Sequence, residues 1–162
     1  MGRTFYFIME PIKHYKVTEI TVAYQQKSKA VDRPVISQSY DALAYILEGY
    51  DKDTIALQEQ FVIAYLNVGN QILGIYKASV GGMTGTIADI RLILCVALKV
   101  AATAMIISHN HPSGILRPSR ADELITQKLK KAAQTMDIKL LDHLILEPTG
   151  IGYFSFADEG LI

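Results

Sequence analysis

The sequence predicts an α/β fold in which helices flank a mixed β-sheet. Apolar runs rich in β-branched residues alternate with stretches whose apolar residues recur at helical spacing, and this alternation is typical of a sheet covered by helices. Two of the apolar runs are joined by Val68-Gly69-Asn70, which has hairpin-turn chemistry and predicts an antiparallel pair. The chain has 162 residues, 50% of them hydrophobic, which is enough for one packed core.

The first 35 residues are predicted to form a β-rich extension packed on a main domain of residues 36–162. Within residues 4–24 the chain carries "TFYFIM" and "TEITVAY", two runs of β-branched and aromatic residues. Pro11 lies between them and supports a break. We therefore expect a pair of strands in the extension.

The main domain begins with a predicted helix. Ser39 is placed to cap it, Leu43, Ile46 and Leu47 recur at helical spacing, and the helix should end near Gly49. The glycine-rich "VGGMTGT" then connects the hairpin to the rest of the chain. The further predicted elements are strands at 61–67 and 71–78, a helix at 88–100, a strand at 102–108, an amphipathic helix at 119–136, and strands at 138–148 and 153–156.

Composition excludes several classes of protein. Sixteen Lys and Arg balance sixteen Asp and Glu, so no bulk charge attracts the chain to nucleic acid or an anionic membrane. Its longest apolar region, residues 92–108, contains Lys99 and is shorter than the roughly 20 residues of a membrane span. Cys95 is the single cysteine, which excludes an internal disulfide framework. We expect a buried, unreactive Cys95, no signal peptide and a cytoplasmic protein.

The stretch "SHNHPSG" ends a predicted buried strand with two histidines. Side chains two residues apart on a strand share a face, about 6 to 7 Å apart, so His109 and His111 can bind one ion while Asn110 points away. Two imidazoles, one carboxylate and an open position are the ligand set of catalytic zinc. Asp122 lies eleven residues after His111 and is the expected acid, with Glu123 as its competitor.

Other interpretations of the same residues need no zinc. Ser119-x-x-Asp122 before an apolar run is also a helix-capping pattern, worth about 1 kcal/mol without any metal. Two histidines and a carboxylate can also hold non-haem iron. His143, in "LLDHLIL", either orients a metal ligand or is an ordinary buried and hydrogen-bonded histidine.

The complete spacing resembles the JAMM signature of the JAB/MPN metalloproteases, H-x-H-P-x(6)-S-x-x-D. The chain meets it at His109, His111, Pro112, Ser119 and Asp122. Over residues 36–162, "SHNHPSG", "IRLILCVAL", "LLDHLIL" and "YFSFADEGL" resemble the RadC branch of that superfamily. This resemblance implies a three-layer, cytidine-deaminase-like architecture.

The resemblance also implies roles for individual residues. His109, His111 and Asp122 would bind Zn²⁺, and Ser119 would help to hold the tetrahedral intermediate. An upstream glutamate would act as the general base, and Glu59 matches its position best. The other glutamates considered for this role are Glu10, Glu19 and Glu48.

The function implied is a zinc-dependent metallohydrolase that cleaves a peptide or isopeptide bond of a peptide or protein substrate. Many JAMM peptidases carry Ser or Thr where this chain has Asn110, so deubiquitinase activity does not transfer directly. The alternative is a DNA-repair or recombination accessory protein, which the neutral charge balance does not independently support. A noncatalytic scaffold is a third hypothesis. No membrane partner is expected, and the oligomeric state is not predicted.

Overall fold

The computed structural model describes residues 29–81 and 88–162. A short 3-10 helix at Ala30–Asp32 precedes the main elements. The helices are α1 (Ser39–Ile46), which continues into a 3-10 turn (Leu47–Gly49), α2 (Ile90–Lys99) and α3 (Arg120–Gln134). The strands are β1 (Gln60–Leu66), β2 (Ile72–Val80), β3 (Ala104–Asn110), β4 (Lys139–Leu146) and β5 (Tyr153–Ser155).

The strands form one mixed sheet in the order β2-β1-β3-β4-β5. β1 is antiparallel to both β2 and β3, and β5 is antiparallel to β4. β3 and β4 are parallel, and parallel neighbours need a crossover connection, which α3 supplies. β3 therefore lies at the centre of the sheet.

Helices cover both faces of the sheet, and each face has its own core. Ala42, Leu43 and Ile46 of α1 pack on one face. Ile93 of α2 and Leu129 of α3 belong to the core on the other face. Every residue of β1 and β3 is buried, since both strands lie between the two helical layers, and this explains their unbroken apolar runs. The predicted α/β fold with a mixed sheet and three layers is confirmed.

The hairpin and the helix–strand order agree with the prediction, but some boundaries differ. β3 begins at Ala104 and continues to Asn110, two residues beyond the predicted end, so it includes His109. The first helix is preceded by Gln38, whose backbone N–H donates to Asp41 Oδ2 at 3.1 Å. Ser39 is already helical and does not cap it; its hydroxyl donates to Asp158 Oδ2 at 2.6 Å.

The prediction that Cys95 is a core residue is wrong. Its side chain is exposed, whereas Ile93, Leu94 and Ala97 of the same helix are buried. Successive helical residues are about 100° apart, so a residue two positions from Ile93 and two from Ala97 lies roughly opposite both. The apolar composition of "LILCVAL" concealed this outward face.

The predicted strands within residues 4–24 lie outside the described residues, and the proposed division at residue 35 stays a prediction. Just before the main domain, Pro34 accepts a hydrogen bond from Ile72 N (3.0 Å), and Ile36 N donates to Asn70 O (3.0 Å). This segment therefore lies against the start of β2. Within the two described ranges, no helix is long and apolar enough to cross a bilayer.

Candidate metal centre

The two histidines of "SHNHPSG" lie at the C-terminal end of the central strand. His109 is in β3 opposite Phe61 of β1, and His111 follows the strand directly. Because successive side chains of a strand point to opposite faces, both imidazoles lie toward α3 and the side chain of Asn110 lies on the other face. The turn after His111 leads the chain back to α3, whose first turn contains Asp122. Two separate elements therefore meet at one point.

The ligand atoms of His109, His111 and Asp122 converge, as the sequence predicted. His109 Nε2 lies 2.9 Å from His111 Nε2 and 3.2 Å from Asp122 Oδ1. His111 Nε2 lies 3.6 Å from Asp122 Oδ2. One ligand atom from each residue lies within 4.8 Å of the others, so the group could hold a metal ion. The side chains are 3%, 12% and 14% exposed, which leaves access from one side.

The tautomer of His109 is fixed by a chain of hydrogen bonds behind it. The Thr126 hydroxyl donates its one proton to the Asp122 carbonyl (2.6 Å), so it must accept from Nδ1–H of His143 (2.6 Å). A neutral His143 then presents a lone pair at Nε2, which accepts from Nδ1–H of His109 (2.8 Å). His109 Nε2 is consequently unprotonated and faces the other ligand atoms.

The tautomer of His111 follows from a single contact. Its Nδ1–H donates to the Ile115 carbonyl at 2.6 Å, and a carbonyl can only accept. The neutral His111 ring therefore also has its lone pair at Nε2. Two imidazole lone pairs and a carboxylate then face one another, and a cation among them would satisfy all three. This donor set fits Zn²⁺, although non-haem iron uses the same types of ligand.

The charge states of His109 and Asp122 suit a cation. Burial lowers the pKa of His109 to about 4, which keeps the ring neutral at pH 7. When protonated at Nε2, His111 would donate to Asp122, which raises the pKa of the ring, and burial opposes that change; a cation would replace this proton at Nε2. Burial alone would raise the pKa of Asp122, but His111, His109 and Ser119 together hold it below its usual range. Asp122 is thus an anion beside two basic nitrogens.

Ser119 caps α3, and this role is compatible with a metal. Its Oγ accepts from the Asp122 backbone N–H at 3.2 Å, and its own backbone N–H donates to Asp122 Oδ2 at 2.6 Å. The capping box therefore orients the same carboxylate that faces the histidines. The helix cap and the possible metal site are therefore not exclusive, because both use the carboxylate of Asp122. As the Ser119 hydroxyl accepts in the cap, its proton is available for donation.

Glu59 lies in the cavity of the metal centre. A cavity of about 330 Å³ is lined by Glu59, His109 and Asp122, with an apolar wall that includes Phe61 and Ile125. The charge of Glu59 contributes to the raised pKa of His111. Phe61 stacks on His109, with 6.2 Å between ring centroids and 6° between ring planes.

The competing acids lie elsewhere or outside the described ranges. Glu48 is exposed in the turn after α1, on the opposite face of the sheet. Glu10 and Glu19 belong to residues that the structure does not describe. Glu123 pairs with Arg120 at 2.6 Å and is not part of the convergent group.

Thr126 and the Ile115 carbonyl were not predicted from the sequence. Thr126 occupies the buried face of α3, four residues after Asp122, where a polar residue among Leu129 and Ala133 was the available signal. His143 is a buried and hydrogen-bonded histidine, as one of the two alternatives stated, and its partner is the candidate ligand His109. No sequence pattern indicated the Ile115 contact, because it uses a backbone atom.

Known proteins match the region that carries this site. The family described as "RadC-like JAB domain" matches residues 36–161. A protein of Flavobacterium johnsoniae named "UPF0758 protein" is 47% identical over 103 residues, which cover 64% of this chain and 44% of that protein. Proteins with the same name are 46% identical in Porphyromonas gingivalis (65% of this chain, 46% of the relative) and 45% in Streptococcus gordonii (63% and 44%). The chain spans less than half the length of these relatives.

Proposed function

Since the chain belongs to the RadC-like JAB domain family, we propose that it is a zinc-dependent hydrolase of peptide or isopeptide bonds. One observation carries the proposal: three possible metal ligands converge, and two of them, His109 and Asp122, line a cavity that Glu59 also lines. Ligands and a base in one cavity are the minimum that metal-assisted hydrolysis requires.

His109 and His111, through their Nε2 atoms, and the Asp122 carboxylate would hold the ion. When bound, zinc polarises a substrate carbonyl and lowers the pKa of a water ligand toward about 7. The fixed tautomers of both histidines and the cap on Asp122 would prepare these ligands before the ion arrives.

Glu59 would act as the general base. Its carboxylate takes a proton from the attacking water as the oxygen bonds to the carbonyl carbon. It then returns a proton to the leaving nitrogen, the C–N bond breaks, and the products are a carboxylic acid and an amine. The Ser119 hydroxyl would donate to the developing oxyanion. Phe61 and Ile125 would exclude water and contact the apolar part of a substrate.

The test compares wild type with E59Q, using metal analysis and a quenched-fluorescence peptide library together with an isopeptide-linked model substrate. We expect equal zinc content and a rate for E59Q that is lower by about 10²- to 10⁴-fold, since that is the usual contribution of a general base. H111A is the metal control and should lose zinc and activity together. A zinc-loaded E59Q with undiminished activity would remove Glu59 from the mechanism, and a zinc-loaded wild type that cleaves neither probe would overturn the hydrolase.

A further inference from the structure

Asn110 lies between His109 and His111 in the chain, but its side chain makes its hydrogen bonds on the opposite face of the sheet. It is fully buried and makes three hydrogen bonds to residues at least fifty positions away. Its Oδ1 accepts from the backbone N–H of Gln60 at 2.7 Å. Its Nδ2 donates to the carbonyls of Ile55 (2.6 Å) and Gln58 (2.9 Å).

The orientation of this amide is determined by its partners. A flipped Asn110 would direct its NH₂ group at the Gln60 N–H and its oxygen at two carbonyls, which leaves three buried groups unpaired. An aspartate of the same size could accept from Gln60 but could donate to neither carbonyl. A side chain with one acceptor and two donors is therefore required at this position.

These bonds hold the backbone on both sides of Glu59. Asn110 binds the carbonyl of Gln58 before it and the N–H of Gln60 after it. From the β2 side, Gly81 N donates to the Glu59 carbonyl at 2.8 Å. The backbone pairing between β1 and β3 ends at Phe61 and His109, so the Asn110 side chain extends the connection beyond the ladder to Glu59.

We propose that Asn110 is a positioning residue that fixes Glu59 relative to the metal ligands. This inference rests on the proposed function, in which Glu59 is the base. Because His109 and His111 are the chain neighbours of Asn110, one short segment sets both the ligands and the distance from them to the carboxylate. The side chain acts through Glu59 and contacts no reacting atom.

The test is a double-mutant cycle in the zinc-loaded protein. N110D keeps the side-chain volume and removes both donors, and N110A removes all three bonds. We expect either change to lower kcat by roughly a hundredfold, the usual effect of misplacing a catalytic group by about 1 Å, with KM and zinc content near wild type. In the E59Q background, N110D should cause no further loss, because Asn110 acts only through that carboxylate.

A matched control is S108A. Ser108 is fully buried, lies two residues before Asn110 on the same face of β3, and its hydroxyl is hydrogen-bonded to Tyr50 at 2.7 Å. This variant removes a comparable buried bond that does not involve the Glu59 segment, so its kcat should equal that of wild type. An unchanged kcat in N110D and N110A, a parallel loss of zinc, or a further loss in the E59Q background would each overturn the positioning role.

Failure of the proposed function would be recognised separately, because zinc-loaded wild type would then cleave neither probe. In that case the positioning role of Asn110 is tested in the cobalt-substituted protein. The quantity measured is the midpoint of the pH-dependent change in its visible spectrum. We expect N110D and N110A to move that midpoint in the same direction as E59Q, while S108A leaves it in place. A midpoint at the wild-type value in both Asn110 variants would overturn the positioning role without reference to hydrolysis.

Discussion

At the scale of single residues, the arrangement of the candidate metal centre depends on hydrogen bonds made behind His109. The Thr126 hydroxyl determines the tautomer of His143, and His143 determines that of His109. The sequence allowed His109, His111 and Asp122 to be predicted as candidate ligands, because their combined spacing resembles the JAMM signature. The contacts of Thr126 and Asn110 could not be predicted, because they join segments 17 to 55 positions apart that only the fold brings together.

Replacement of Thr126 by valine tests the tautomer chain. Valine has nearly the same shape but no hydroxyl, so Nδ1–H of His143 loses its acceptor and the ring is free to take the other tautomer. We expect zinc affinity to fall by about 10- to 100-fold, as when other outer partners of metal-bound histidines are removed. The affinity of each variant for zinc is measured by competition with a chromophoric chelator.

The matched control for that experiment is T135V. Thr135 directly follows the last residue of the same helix, about 13 Å along the helix axis from Thr126, and donates to the Ala132 carbonyl at 2.7 Å. The T135V protein should bind zinc as tightly as wild type. If T126V also retained wild-type affinity, the hydroxyl would have no influence on the ligand tautomers.

At the scale of elements, the first turn of α3 combines a structural and a chemical role. Ser119 and Asp122 form a capping box that fixes the helix end and the carboxylate together. The element itself was predictable from its amphipathic pattern, and so was the cap. The end of β3 was less predictable, because His109 and Asn110 are polar and a polar residue at a strand end resembles the start of a loop.

Replacement of Ser119 by alanine separates the two roles. The hydroxyl accepts from Asp122 N, so its loss should lower the free energy of unfolding by about 1 kcal/mol. Zinc should stay bound, since the bond to Asp122 Oδ2 comes from the backbone N–H, which alanine keeps. Urea unfolding and metal analysis measure the two quantities. Loss of zinc without loss of stability would show that the hydroxyl itself supports the metal.

At the scale of the whole molecule, the sheet order places β3 at the centre and brings its C-terminal end beside both β1 and α3. The alternation of strands and helices predicted an α/β fold, but it did not specify the order β2-β1-β3-β4-β5. That order depends on pairing between distant segments, such as Phe61 with His109. It explains why Glu59, which precedes β1, lines the same cavity as His109, which is fifty residues later in the chain.

A crystal structure of the zinc-loaded protein, with an anomalous difference map measured at the zinc edge, is the decisive experiment. We expect a single strong peak about 2.0 to 2.2 Å from His109 Nε2, His111 Nε2 and one Asp122 oxygen, on the side of the cavity that contains Glu59. A zinc peak held by other atoms, or a zinc-saturated crystal with no peak among these three residues, would contradict the proposed metal centre.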